Sequence, residues 1–172
     1  IVKYIDSGVR GRVFKVQDDS GHLFALKVPI DRHSDDNLSI FRTEVQKRFP
    51  RIAALNLPYA KIVESGKDYI LKEWIEGVRG DLWLDRWQKG GASTSDPIFL
   101  SLIELFKLSA SKGAYLDDLK PQNLIWDGNK WVIVDVAHVF INISDKDALN
   151  KYHQTLKIFW TMGRCSKLLG LK

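Results

Sequence analysis

Lys27 is the only charged residue in an otherwise apolar run, residues 23–28, that has the composition of a β-strand. A lysine in such a run either extends its ammonium to solvent or pairs with an anion, because burying an unpaired ammonium is costly. The helix predicted next carries Glu44 on its Phe41/Val45 side. The Glu44 carboxylate can therefore pair with Lys27 and hold it toward a phosphate.

A glycine-bearing turn, residues 7–13, separates the first two predicted strands. Gly8 and Gly11 have no side chains, so that backbone N–H groups in this turn could approach phosphate oxygens. A hairpin turn with two glycines is more often only a turn, and by itself this motif is a weak indication of nucleotide binding.

Four polar residues with complementary chemistry lie in two segments of the second half. Asp118, Lys120 and Asn123 belong to Leu-Asp-Asp-Leu-Lys-Pro-Gln-Asn at residues 116–123, and Asp135 ends the apolar run at residues 132–134. Taken one at a time, each of these carboxylates could be a solvated turn residue.

In this order, the motifs resemble the protein kinase superfamily. The family's catalytic loop, H-R-D-L-K-P-x-N, is matched from Asp118 to Pro121, at the free position Gln122, and at Asn123. The glycine turn, the A-x-K strand, the helix glutamate and a hinge-like stretch at residues 71–77 follow the family order. The resemblance covers roughly residues 5 to 140.

The resemblance implies an α+β fold of the kinase-like, bilobal type in a single domain, residues 1–172. Residues 1–75 would form an N-lobe with an antiparallel β-sheet and one helix. Residues 76–172 would form a reduced, mainly helical C-lobe. The family's ligands are ATP and Mg²⁺, or Mn²⁺ in its place, and its function is transfer of the γ-phosphate to a hydroxyl.

Each matched position inherits a role from the resemblance. Asp118 would accept or orient the proton of the attacking hydroxyl, and Lys120 would neutralise charge on the transferred group. Asn123 and Asp135 would hold the metal ion.

For ATP itself, Lys27 would contact the α- and β-phosphates and be steered by Glu44. The glycines would cover the triphosphate, the hinge backbone would hydrogen-bond adenine between apolar walls, and an aspartate would touch the ribose hydroxyls. The residues implied in ATP binding are Ile5, Gly8, Gly11, Val13, Ala25, Lys27, Glu73, Ile75, Asp81 and Ile125.

The chain departs from the family pattern near the catalytic residues. Leu116 and Asp117 replace the usual His and Arg, and loss of the arginine removes the partner of a phosphorylated activation loop. Val-Ala follows Asp135 in place of Phe-Gly. No Ala-Pro-Glu motif follows, and the short remainder resembles compact members of the superfamily, such as RIO-type or small bacterial kinase-like proteins, or a truncated fragment.

Two further departures lie in the first half. Asp6 stands where the first loop glycine is usual, so that the turn would cover phosphates less closely. Lys72 stands at the border of the adenine pocket, where an apolar or small polar residue is commoner. It would either form a salt bridge nearby or narrow the pocket, and the sequence favours neither.

The elements that position these residues are predicted from hydrophobic spacing and turn residues. Strands occupy most of the first thirty residues, a helix runs from Leu38 to Pro50, and two strands flank the turn at residues 65–68. Asp96-Pro97 begins a helix over residues 98–112 that Gly113 ends. A hairpin at residues 123–134 and a terminal helix from Ser144, marked by Leu149, Tyr152, Leu156 and Phe159, complete the chain.

Composition narrows the classes of protein. The 172 residues are 45% hydrophobic and 27% charged, with one cysteine, which excludes a disordered chain and a disulfide scaffold and favours a cytoplasmic protein. The net charge is +5, but the basic residues are dispersed, so that no nucleic-acid partner is predicted. No membrane segment is predicted either, since no apolar run approaches the roughly 20 residues that a span requires.

Three functions remain open at this point. The first is an ATP- and Mg²⁺-dependent serine/threonine protein kinase, which would have a protein substrate. The second is a kinase-like module that binds nucleotide or a partner protein without catalysis, and the third is a kinase of small molecules or carbohydrates. Exposed tryptophans on one face would favour an interaction module, although core packing is the safer expectation for Trp74, Trp83, Trp87, Trp126, Trp131 and Trp160.

Overall fold

The computed structural model describes residues 3–7, 11–30, 38–39, 42–91, 93–161 and 169. The chain forms two compact units. The first consists of Ile1–Ala53 and Ala60–Ile75, and the second of Ala54–Tyr59 and Glu76–Lys172. Nothing in the sequence indicates that residues 54–59 belong with the second unit.

The first unit is built on an antiparallel sheet with strand order β1-β2-β3-β5-β4. This confirms the α+β class and the antiparallel sheet predicted for the first half. The strands are β1 (Lys3–Ser7), β2 (Gly11–Gln17), β3 (Leu23–Pro29), β4 (Ile62–Ser65) and β5 (Ile70–Glu73).

Two predicted turns of this sheet are confirmed. Between β2 and β3, one carboxylate oxygen of Asp18 accepts the backbone N–H groups of Ser20 and His22, at 2.9 and 2.8 Å. Between β4 and β5, the N–H of Gly66 donates to the carbonyl of Tyr69 at 3.0 Å. Short polar side chains and glycines thus set the register of the sheet that carries Lys27.

The helix of the first unit differs from the prediction that it stops at Pro50. A π-helical turn, Glu44–Arg48, leads directly into α1 (Phe49–Ala54), in which Pro50 is the second residue. Proline fits the first turn of a helix, and the wide turn ahead of it relieves the clash between its ring and the carbonyl four residues earlier. Part of the predicted start of this helix, including Phe41, lies outside the described residues.

The second unit combines helices with short strands. Its helices are α2 (Gly80–Lys89), α3 (Pro97–Ser111) and α4 (Asp145–Phe159). The strands β6 (Val78–Arg79), β8 (Leu124–Trp126) and β9 (Trp131–Ile133) form one antiparallel sheet, and β7 (Ala114–Leu116) pairs with β10 (Val139–Ile141) in another. Four of these elements, α2, β6, β7 and β10, were not predicted from the sequence. The three strands have only two or three residues, and α2 begins after Arg79 without a side-chain cap.

The predicted ends of α3, to within one residue, and the predicted start of α4 are confirmed. The Asp96 side chain accepts the N–H groups of Ile98 and Phe99, Pro97 is the first residue of α3, and Gly113 adopts a φ of +64° just after its end. At the start of α4, the Ser144 hydroxyl accepts the N–H of Asp147 at 3.2 Å. The hairpin β8–β9 is also present, but Asn123 precedes it, in a 3₁₀ turn at Pro121–Asn123.

Tyr152 of α4 connects this helix to α3 and β7. Its ring stacks on Phe106 at 4.5 Å between centroids, and its buried hydroxyl donates to Ser109 Oγ and accepts the N–H of Leu116. Burial raises the pKa of the Tyr152 hydroxyl, although the hydrogen bonds with Ser109 and Leu116 oppose that shift. The neutral tyrosine therefore holds the strand that leads to Asp118.

The tryptophans build the core of the second unit. Trp83, Trp131 and Trp160 are buried and pack together, with ring centroids 5.4 to 6.3 Å apart. The indole N–H of Trp160 donates to the carbonyl of Leu119, and that of Trp131 donates to the carbonyl of Ile98. Core packing, the safer of the two expectations, is thus the role of these three residues.

Among the described residues, no helix is both long and apolar enough to cross a membrane.

We expect Tyr152→Phe to lower the free energy of unfolding by about 1–3 kcal/mol, because it leaves the buried N–H of Leu116 without an acceptor. Urea-induced unfolding measures the change. Tyr4→Phe is the matched control, since its ring is half exposed in β1 and loss of its hydroxyl should change stability little. Equal effects of the two substitutions would contradict the role assigned to Tyr152.

Candidate functional site

Lys27 and Glu44 form the ion pair that the sequence predicts. Lys27 lies in β3 opposite Ile70 of β5, with its side chain 15% exposed. Its ammonium is 2.7 Å from Oε2 of Glu44, the first residue of the π-helical turn. The apolar strand therefore retains its lysine by pairing it rather than by extending it into solvent.

Lys72 of β5 is a second partner of the same carboxylate. Its ammonium lies 2.6 Å from Oε1 of Glu44 and 3.9 Å from the centroid of the Phe49 ring. Lys72 is 4% exposed and Glu44 only 1%. Of the two alternatives that the sequence left open, the structure shows a salt bridge.

Two opposing effects set the pKa of Glu44. Burial alone would raise it, but the nearby ammonium groups of Lys72 and Lys27 lower it more, to about 2. Glu44 is therefore a buried, ionised carboxylate that depends on both lysines.

The other residues implied in ATP binding within the first unit occupy the sheet. Ile5 of β1, Val13 of β2 and Ala25 of β3 are half-buried, and Gly11, which begins β2, is buried. Gly8 lies outside the described residues. Ile75, the last residue of this unit, is half-buried.

Glu73 is tied to the chain that precedes β4. Its backbone N–H donates to the carbonyl of Lys61 at 2.9 Å, and its carboxylate accepts the N–H of Lys61 at 3.0 Å. The amide hydrogen of Glu73 is thus used within the sheet.

In the second unit, Asp118 is contacted by both Lys120 and Asn123. Its φ of +63° is uncommon for a residue other than glycine. Asn123 Nδ2 donates to the carbonyl of Asp118 at 2.7 Å and approaches its carboxylate at 3.4 Å. The ammonium of Lys120 lies 3.2 Å from the same carboxylate oxygen. Such strained residues persist where the surrounding contacts hold them, as Asn123 does here.

Asp135 is the residue after Val134, whose backbone is hydrogen-bonded to that of Asn123. The N–H of Val134 donates to the carbonyl of Asn123 at 2.9 Å, and Asp135 accepts the N–H of Val136 through Oδ1. Asn123 uses its Nδ2 for Asp118, so that its Oδ1 is the atom suited to a metal ion. Amide and carboxylate oxygens are the donors that Mg²⁺ prefers, and this pair of residues fits that ion.

Asp117 and His138 join the segments that carry Asp118 and Asp135. The N–H of Asp117 donates to the carbonyl of His138, and the N–H of Ala137 donates to the carbonyl of Asp117. The two side chains approach to 3.6 Å. His138 was not predicted as a site residue, because it belongs to no motif; the one sequence signal was Asp117, at a position where the kinase pattern has an arginine.

Asp81 and Ile125 lie in the second unit, near β6. Asp81, in the first turn of α2, is held by Arg79 through both carboxylate oxygens, at 2.7 and 2.8 Å. Ile125 of β8 is half-buried and lies opposite Arg79 in the sheet. The carboxylate expected at the ribose thus already has a cationic partner.

Gly80 allows α2 to approach the turn that carries Asn123. A Cβ atom at position 80 would lie 2.5 Å from the carbonyl oxygen of Pro121 and 3.1 Å from the Trp160 ring. Only glycine fits there without displacing the backbone of the turn.

No family model matches this chain, and no curated protein is similar to it. Nor do three or more histidine, cysteine or acidic side chains converge as a metal cluster anywhere in the part of the chain that the structure describes. Two groups of residues, one in each unit, are therefore the candidates for function. The first group is Lys27, Glu44 and Lys72, and the second is Asp118, Lys120, Asn123 and Asp135.

Glu44 predicts a specific acid dependence of stability. Its folded-state pKa of about 2 lies below the ordinary value of 4.5, so its contribution is present above pH 4.5 and is lost as the pH falls toward 2. We expect Glu44→Gln to be destabilised relative to wild type by on the order of 3 kcal/mol near neutral pH. The difference should approach zero near the folded-state pKa.

Denaturant unfolding at a series of pH values measures this difference. Glu104→Gln is the matched control, because the Glu104 carboxylate is exposed and pairs with Lys107 one turn away. Its effect should stay within about 0.5 kcal/mol at each pH. A Glu44→Gln difference that does not change with pH would contradict the ion-pair assignment.

Proposed function

We propose that the chain is an ATP- and Mg²⁺-dependent phosphotransferase, a compact serine/threonine protein kinase. The observation that carries this proposal is the arrangement at Asp118. Its carboxylate lies beside the ammonium of Lys120, and its backbone is fixed by Asn123. A proton acceptor and a cation thus stand next to each other, as transfer of a phosphoryl group to a hydroxyl requires.

In this reaction, Asp118 would act on the proton of the hydroxyl and Lys120 on the negative charge of the phosphoryl group. The Asp118 carboxylate would accept the proton of the attacking hydroxyl while the hydroxyl oxygen bonds to the γ-phosphorus of ATP and the bond from that phosphorus to the leaving ADP oxygen breaks. The Lys120 ammonium would stabilise the negative charge on the phosphoryl oxygens. Their separation of 3.2 Å places the cation directly beside the carboxylate that would accept the proton.

Asn123 and Asp135 are the residues that would hold the metal ion. Their oxygen donors suit Mg²⁺ or Mn²⁺, which supplies positive charge to phosphate oxygens. The backbone bond from Val134 to Asn123 sets the two residues on connected segments. Asn123 would thus serve both the metal ion and the orientation of Asp118.

Lys27 and Glu44 support nucleotide binding in the first unit. The ammonium of Lys27 is positioned by a buried carboxylate, which is the arrangement suited to a contact with the α- and β-phosphates. Lys120, two residues after Asp118, fits the loop of protein kinases and favours a protein hydroxyl as the acceptor.

Substitutions of two aspartates should separate catalysis from binding. We expect Asp118→Asn to reduce transfer of the γ-phosphate by about 10²–10⁴-fold, because it removes the proton acceptor but retains the shape of the side chain. It should still be stabilised thermally by Mg·ATP. Asp135→Asn should lose both that stabilisation and the transfer, because it weakens the metal site. Transfer of label from γ-labelled ATP and thermal unfolding, with and without Mg·ATP, measure these effects.

Asp19→Asn is the matched control, since Asp19 is an exposed turn residue and its substitution should affect neither measurement. Wild-type protein that Mg·ATP stabilises but that transfers no phosphate would be a nucleotide-binding module. Transfer to sugars or other small alcohols, but not to protein, would identify a small-molecule kinase. Absence of both binding and transfer would overturn the proposal.

A further inference from the structure

Lys27 and Lys72 extend from the same face of the sheet in the first unit. Lys27 lies opposite Ile70 and Lys72 is two residues farther along β5, so that the lysines are diagonal neighbours on one face. Each contacts a different oxygen of Glu44, at 2.7 and 2.6 Å. One buried carboxylate thus lies between two ammonium groups, where a single ammonium would balance its charge.

The π-helical turn and the residue after it, Phe49, both contact Lys72. The N–H of Phe49 donates to the carbonyl of Glu44 and closes the π-helical turn. The same two residues contact the Lys72 ammonium, Glu44 through its carboxylate and Phe49 through the face of its ring. A π-helical turn is rare and frequently marks a functional site, and here it joins the two groups that surround one cation.

The two lysines differ in their surroundings. The side chain of Lys72 is 6% exposed, whereas that of Lys27 is 15% exposed. A buried carboxylate without a cationic partner is strongly unfavourable. If Lys27 alone compensated Glu44, a phosphate that attracted Lys27 would compete directly with the buried carboxylate. With Lys72 present, Glu44 retains a buried cation while Lys27 interacts with an anion.

We propose that Lys72 is a positioning residue for nucleotide phosphates, which acts through Glu44. It neutralises the Glu44 carboxylate and holds it in place. Lys27 can then pair with phosphate oxygens while the buried carboxylate keeps a cationic partner. The inference rests on the proposed function for the phosphate ligand of Lys27. It assigns to Lys72 a role that the family resemblance does not imply.

The test compares a ligand that has phosphates with one that lacks them. Dissociation constants for Mg·ATP and for adenosine are measured calorimetrically on wild type and on Lys72→Met, which retains much of the apolar volume and removes the charge. We expect Mg·ATP binding to weaken about tenfold and adenosine binding to stay within about twofold. A purely structural role would weaken both ligands alike.

Lys47→Met is the matched control, because Lys47 is an exposed lysine of the same π-helical turn. It removes the same overall charge and should leave both constants unchanged. If Lys72→Met weakens both ligands equally or neither, the inference is overturned while the proposed function stands. If wild type binds no Mg·ATP, the proposed function fails, and the role of Lys72 fails with it.

A second pair of variants keeps the test decisive if Lys72→Met does not fold. Glu44→Gln removes the buried negative charge that Lys72 is proposed to compensate. Adding Lys72→Met to Glu44→Gln should then leave the ratio of the two dissociation constants unchanged, which would support action through Glu44. A further loss of about tenfold for Mg·ATP alone would show that Lys72 acts on the phosphates independently, and would overturn the inference.

Discussion

The structure of the second unit depends on the complete burial of one indole, that of Trp160. Its ring packs against Trp83 of α2 and Trp131 of β9, and its N–H donates to the carbonyl of Leu119. A buried indole N–H must find an acceptor, and here the acceptor is the backbone of the residue after Asp118. The packing of this core therefore also fixes the conformation of the segment around Asp118. Gly80 is required because α2 must approach the turn at Pro121 closely.

Much of the fold could be predicted because residues close in sequence determine where its helices end and where its strands turn. Asp96, Pro97 and Gly113 act within one turn of the ends of α3, and the turn at Asp18 is closed by its own side chain. The elements that were missed, such as β7 and β10, are three residues long and exist because tertiary contacts hold them. The continuation of the helix past Pro50 was missed for a related reason, since a wide π-helical turn has no sequence pattern of its own.

In the candidate site, too, contacts that follow from residue types could be predicted, whereas contacts that depend on the tertiary fold could not. A lysine in an apolar strand needs an anion, so the pairing of Lys27 with Glu44 could be predicted from residue types alone. The choice of Lys72 as a second partner could not, because it depends on the register of β3 against β5 and on the placement of Phe49. Likewise, the pairing of Asp117 with His138 depends on the return of the chain after Asp135, which residue types do not specify.

The short segment Ala54–Tyr59 belongs to the second unit but lies in sequence between the two parts of the first, so that no single cut in the chain separates the units. The polypeptide passes between the units three times, and Tyr59 pairs with Ile133 while the carbonyl of Pro58 accepts the N–H of Ile133. Recombination at one point, between Ile75 and Glu76, would separate Pro58 and Tyr59 from the strand they border. Exchange of residues 1–75 by such a single crossover therefore requires β9 to tolerate the incoming residues 54–59, so that the two compact units cannot vary independently.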